Sequence, residues 1–166
     1  MSAAVAIRTT TSCCAIGQTG NDPPMPEPTF EELIDAMRDA VAVLQRAEIP
    51  FVLGGGLSAW ARGGPRALVD LIYNPASGPI TDEQIERAPL AEVMAVRIHV
   101  STLEDVMVAK LMAMTEQEPD FGALLEWTRA LREQIDWTEV RTRTEASPFA
   151  RAFFTLVEGL GVVEAA

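Results

Sequence analysis

The stretch Phe51-Val-Leu-Gly-Gly-Gly-Leu-Ser58, followed by Arg62-Gly-Gly-Pro-Arg66 and then Val69-Asp70-Leu71, constrains the chain more than any other part of it. An apolar run meets Gly54, Gly55 and Gly56, a short helical pattern follows, and a Gly-Gly-Pro-Arg turn leads to a second apolar run that carries one carboxylate. Strand, glycine turn, helix and strand in that order is the layout of a phosphate cradle. Backbone N–H groups freed at a helix start can hold anionic oxygens, and the helix dipole favours the charge. The same glycines also suit a turn where backbones merely approach closely, so the residues alone leave both readings open.

The chain around this stretch has 166 residues, which suits one domain with a usable core. Its formal net charge of -11 repels nucleic-acid backbones, so long DNA is an unfavourable partner. A free nucleotide that arrives with its magnesium remains compatible. Cys13 and Cys14 are adjacent, which disfavours a bridge between them, and no third cysteine exists to complete a metal site. With no apolar run of membrane-spanning length and no compact signal-like segment, the expected location is cytoplasmic.

Residues 1–28 read as a disordered leader, because the Thr/Ser run, Gly17, Gly20 and the Pro23-Pro-Met-Pro-Glu-Pro28 cluster build no packed element. From Thr29 the pattern changes. Leu33, Ile34, Met37, Val41 and Leu44 recur at three and four residues, which predicts a helix over 30–47 that ends at Ile49-Pro50. Residues 51–53 read as a buried strand, 57–61 as a short helix and 68–73 as a second strand. Thr81-Asp-Glu-Gln84 is a capping box for a helix to about Arg87, and 94–100 reads as a third strand. The lone His99 sits near that strand's end, where a structural role is expected.

Ser101-Thr-Leu-Glu104 reads as a further capping box, opening a helix to about 114. On its wheel Glu104 and Asp105 share an arc, and Lys110, the only lysine of the chain, lies opposite among Leu103, Met107 and Met114. A lysine on an apolar face must snorkel, pair with a carboxylate or line a cleft. Beyond it, Asp120 precedes a helical pattern as an N-cap would. Further helices are expected over 121–134, 136–144 and 147–160, the last opened by Ser147-Pro148.

The run Leu53-Gly-Gly-Gly-Leu-Ser58, with Arg62-Gly-Gly-Pro-Arg66 and Val-Asp70-Leu, resembles the opening of the minimal nucleotidyltransferase family, including the abortive-infection type of toxin–antitoxin systems. The resemblance covers most of residues 30–163. It implies an α/β fold, a small mixed sheet with helices in reduced nucleotidyltransferase-like form over 29–100, and a helical C-terminal region over 101–166 packed on it. It implies transfer of a nucleotidyl group from a nucleoside triphosphate to a hydroxyl acceptor, with tRNA or a small RNA as acceptor and an antitoxin protein as partner. Gly54, Gly55, Gly56, Ser58, Arg62 and Arg66 are then expected at the phosphates, and Asp70 on Mg2+. Lys110 matches a lysine that faces the phosphates, and Asp120 the acid that opens the next helix. The chain departs from the family at Ile72, which stands where a second metal carboxylate belongs. A second alignment places Val69-Asp70-Leu71-Ile72 on the later strand that carries the family's third carboxylate. A catalytically inactive homologue that binds a nucleotide or a protein is the alternative expectation.

Overall fold

The computed structural model describes residues 5–6, 29–64, 79–117 and 119–164. Among them the chain is mixed α/β and mostly helical, with seven α-helices and two two-stranded sheets. The expected strand with Asp70, and Arg66 before it, lie outside the described residues, as does most of the stretch 1–28. Two positions of that stretch are described: β1 (Val5–Ala6) pairs in parallel with β2 (Phe51–Val52), Val5 opposite Phe51. At those positions the expected leader contributes a strand.

Helix α1 (Phe30–Arg46) starts at a capping box in which Thr29 and Glu32 satisfy each other's backbone N–H groups. Its stripe of Ile34, Met37, Val41 and Leu44 is buried, as the spacing predicts. The helix stops in a Schellman turn. Glu48 takes φ 52, its N–H reaches Gln45 O at 3.2 Å, and the Ile49 N–H reaches Leu44 O at 3.0 Å. Pro50 then prevents continuation, and β2 follows. The chain passes through the glycine turn into α2 (Gly55–Trp60) and later into α3 (Asp82–Arg87), which opens at the Thr81–Gln84 box.

The segment expected to be a single strand over 94–100 is the second arm of a hairpin. β3 (Leu90–Val93) and β4 (Val96–His99) pair antiparallel, with Val93 opposite Val96 and Glu92 opposite Arg97. The two loop residues, Met94 and Ala95, have φ 50 and 64, the left-handed values a type I′ turn demands. That turn ordinarily announces itself as Asn-Gly, and Met-Ala carries no such signal. A parallel bridge between Leu53 and Val100 joins the two sheets, with Leu53 N–H on His99 O at 2.8 Å and Ser101 N–H on Leu53 O at 2.7 Å.

Because Ser101 is still engaged in this ladder, the cap of α4 (Leu103–Met112) falls one residue later than the sequence suggests. Thr102 Oγ1 accepts from the Asp105 N–H at 3.2 Å. Then come α5 (Gly122–Leu131), a 3-10 turn at Arg132–Gln134, α6 (Trp137–Arg143) and α7 (Pro148–Gly159). Asp136 caps α6 and Ser147 caps α7, with Pro148 at its first position as expected.

Two buried clusters result. One gathers Ile34, Met37, Val41, Leu53, Leu57, Val93, Ile98 and Val100 between α1, α2 and the strands. The other lies among α4, α5, α6 and α7 and includes Met107, Leu111, Leu124, Trp127, Val140, Phe153 and Phe154. Helix α2 serves both, since Leu57 enters the first and Ala59 the second. Among the described residues no helix is long and apolar enough to cross a membrane.

Candidate functional site

Parallel pairing through Leu53 and Val100 makes β2 and β4 end side by side. Each strand then runs directly into a helix, β2 through Gly54 into α2 and β4 through Ser101-Thr102 into α4. Two helix starts therefore lie side by side, and the edge they share is the candidate crevice. Gly54 stands at the N-cap of α2 in extended conformation, φ -117 and ψ -171, and has no side chain with which to cap it. Gly55 follows at φ 64, a conformation that strains any L side chain. A methyl built on Gly54 would lie 3.5 Å from Ser101 Oγ, an ordinary contact, so of these two positions the backbone requires glycine at 55.

Ser58 and Arg62 tie α2 to the end of β4. The Ser58 hydroxyl is fully buried, donates to Ser101 O at 2.9 Å and accepts from Arg62 Nη1 at 2.8 Å. Arg62 also donates to Ser58 O and to Val100 O, both at 3.2 Å. Burial lowers the guanidinium from its usual pKa, and the charge of Glu104 opposes that. Through these contacts both side chains hold the glycine turn against the strand end, with both Arg62 terminal nitrogens turned to protein oxygens.

Lys110 stands on α4 and reaches α5. Its Nζ lies 5.7 Å from the centre of the Trp127 ring on α5, a cation–π distance. From Thr102 to Lys110 the helix advances ~12 Å at its usual rise, whereas the glycine turn abuts the helix start. Asp120 is exposed, and its Oδ1 accepts from the Gly122 N–H at 2.8 Å, a local turn that leads into α5. The structure thus brings Gly54, Gly55, Gly56, Ser58 and Arg62 together, adds Ser101 beside them, and sets Lys110 against a different helix. Arg66 and Asp70 lie outside the described residues.

Ser101 escaped the sequence reading as a site residue because it looked like a helix cap; its place depends on the register of β4. Asp105 was also misjudged. It was expected on a polar arc with Glu104 and is instead 9% exposed, held by Arg87 from α3 and by Arg143 from α6 at 2.7 Å. Arg143 and Arg87 also reach Glu139, at 2.6 and 3.2 Å. Burial alone would raise the Asp105 carboxyl, but hydrogen bonds and charge from Arg143 and Arg87 outweigh it and hold the group below its ordinary value. A carboxylate in a helix apolar on nearly every side was the available signal.

Magnesium takes hard oxygen donors, commonly one or two carboxylates with phosphate oxygens. At the turn the described residues bring hydroxyl and carbonyl oxygens, so the fit for magnesium depends on Asp70. No group of three His, Cys, Asp or Glu side chains able to hold a metal occurs among the described residues. Comparison with models of protein families, with curated proteins and with solved structures returns no match in any of the three. The family resemblance accordingly stands on the motifs of the sequence.

Proposed function

We propose that the chain is a nucleotidyltransferase-like protein in degenerate form, a module that holds a nucleoside triphosphate over the glycine turn at 54–56. The observation that carries this reading is the side-by-side ending of β2 and β4, each continuing into a helix at the same crevice. In open α/β sheets ligands bind outside the carboxyl ends of adjacent strands, and helix starts there favour phosphate. The motif resemblance supplies the nucleotide. Asp70 would hold Mg2+, which when bound neutralises phosphate charge.

Nucleotidyl transfer to a hydroxyl acceptor such as tRNA or a small RNA is the second reading, favoured by the Arg66-to-Asp70 spacing. In it Lys110 would neutralise charge in the transition state and Asp120 would orient the lysine. Binding without transfer is placed first because Ile72 stands where the second metal carboxylate of the resembled family belongs.

Titration calorimetry with each nucleoside triphosphate and Mg2+, followed by amide shifts of Gly55, Gly56 and Leu57, tests the site. Magnesium-dependent binding that moves those amides, without transfer of radiolabel to small RNAs, is the expected result. Absence of binding by every nucleotide at millimolar concentration would overturn the reading and leave a scaffold for a protein partner such as an antitoxin. Label transfer that Asp70→Ala abolishes would establish the second reading instead.

A further inference from the structure

Helix α3 stands apart from the other helices in how it is attached. No side chain within Asp82–Arg87 is buried, and neither core cluster includes one. Its side-chain contacts to the helical half are polar: Gln84 Nε2 to Asp105 Oδ1 at 3.4 Å, Arg87 to the same oxygen, and Arg87 to Glu139 at 3.2 Å. At its C-terminal end the attachment is of another kind. The His99 Nδ1–H donates to Ala88 O at 2.7 Å and the Val100 N–H donates to Pro89 O at 3.0 Å, so the backbone just past α3 is fixed to the sheet.

We infer that α3 is a strap latched by charge onto the first turn of α4, hinged at residues 88–89, and able to open while both cores stay folded. The charge arrangement makes opening feasible. When Arg87 leaves, Asp105 keeps Arg143 at 2.7 Å and Glu139 keeps Arg143 at 2.6 Å, so the buried carboxylate is not stranded without a cation. The carboxylates and guanidiniums that the structure places in this network, Asp105, Arg87, Glu139 and Arg143, come from α3, α4 and α6. A segment with no fully buried side chain, tied to the helical half by partly exposed polar bonds, belongs to the low-stability end of a fold, which opens locally before the whole unfolds. The strap is bonded to the first turn of α4, the helix that starts just past Ser101. The inference is independent of which ligand the crevice takes.

Native-state hydrogen exchange read residue by residue on the full chain tests it. Ile85 and Ala88 report the strap, through their bonds to Thr81 O and Ile85 O; Val106 and Val140 report α4 and α6. Arg87→Gln removes the charged part of the strap's side of the latch, from a side chain that is 35% exposed, and leaves the Gln84 bond to Asp105. It should speed exchange at Ile85 and Ala88 by about tenfold or more, the loss of a charged hydrogen bond, and leave Val106 and Val140 unchanged. Arg143→Gln keeps Arg87 on Asp105 and should leave the strap amides as they were. Unchanged exchange at Ile85 and Ala88 in Arg87→Gln, equal acceleration at Val106 and Val140, or an equally open strap in Arg143→Gln would each overturn the inference.

Discussion

Among the described residues the core of the helical half draws its buried side chains from Leu103 to Val157 and adds Ala59, while the core under α1 collects from Ile34 to Val100. In the first, aromatic rings interlock: Phe153 meets Phe154 at 5.7 Å and Phe121 at 6.1 Å, and Trp137 meets Phe154 edge-on at 6.3 Å. In the second, among the described residues, the buried side chains are aliphatic or methionine, and Phe51 and Trp60 pack against them partly buried. Near-neighbour helices settle the first, whereas the second depends on strand ends and turns that meet from distant parts of the chain. The candidate crevice is set on the second core. Its geometry is therefore only as firm as a few backbone positions, Gly55 and the hairpin turn among them.

The largest effect should come from the aromatic centre. Phe153→Ala removes a wholly buried ring and is expected to lower stability by about 3–5 kcal/mol, against about 2–4 for Ile98→Ala in the other core. Urea denaturation followed by both circular dichroism and tryptophan fluorescence checks the pair. Because α2 places Leu57 in one core and Ala59 in the other, both variants should shift one shared transition. Two separate transitions would break the picture of cores coupled through α2.

The charge network that ties α3, α4 and α6 should respond next. Asp105→Ala leaves Arg87 and Arg143 facing each other, and the expected loss is about 2–3 kcal/mol, less than for a fully dry pair because both guanidiniums are about one-third exposed. The pH dependence has a definite sign. The folded-state pKa of Asp105 is depressed below the ordinary 3.8, so its contribution is fully present above that value and is lost as pH falls through the lower folded value. Melting temperatures of the wild type and Asp105→Asn, measured from pH 6 downward, should differ most above about pH 4 and converge below it. A gap that stays constant to pH 2 would show that the carboxylate's charge is not what stabilises this region.

The two halves also differed in how far they could be read in advance. Periodicity and caps located α1, α3, α4, α6 and α7 to within a residue or two, because Thr29, Thr81, Asp136 and Ser147-Pro148 are local signals with local effects, whereas the helix expected over 121–134 gives way to a 3-10 turn after Leu131. The hairpin was hidden because Met94 and Ala95 adopt positive φ without glycine or asparagine. Asp105 was placed on the solvent side because a helical wheel shows the helix and not the arginines that arrive from α3 and α6. For the site, the glycine turn and its helix were legible, but Arg62 and Ser58 turned out to bond inward, and Lys110 found Trp127. Such outcomes depend on tertiary neighbours. No spacing within one helix reveals them.

Glycines near the crevice offer a finer test, because they separate backbone need from sequence habit. A methyl on Gly64 would come within 2.9 Å of Ala59 O and 3.1 Å of its carbonyl carbon, backbone that cannot swing away, so Gly64→Ala should cost about 1–3 kcal/mol. Gly54→Ala meets only Ser101 Oγ at 3.5 Å and should change stability by less than about 0.5 kcal/mol, since restricting the unfolded chain offsets small repulsions. Thermal denaturation ranks the two. If Gly54→Ala were the more damaging, Ser101 would have to press on the turn far more closely than an ordinary contact.

A smaller effect than that of Gly64→Ala lies at two helix ends that close in the same way with different residues. Helix α7 ends with Gly161 at φ 65, where the Gly161 N–H reaches Glu158 O and the Val162 N–H reaches Val157 O, both at 2.9 Å. Helix α1 uses the same pair of bonds but puts Glu48 in the left-handed position at φ 52. An L side chain there carries strain of about 1–2 kcal/mol, and glycine's extra freedom in the unfolded chain takes back roughly 0.5–1 kcal/mol. Glu48→Gly should therefore stabilise the α/β half by about 0.5–1 kcal/mol. Gly161→Ala should destabilise α7 by a similar amount, because nothing crowds its added methyl and only the backbone conformation resists it. Opposite shifts in melting temperature are expected from the two changes. Shifts of the same sign would mean that side-chain contacts of Glu48, and not its φ, decide how α1 ends.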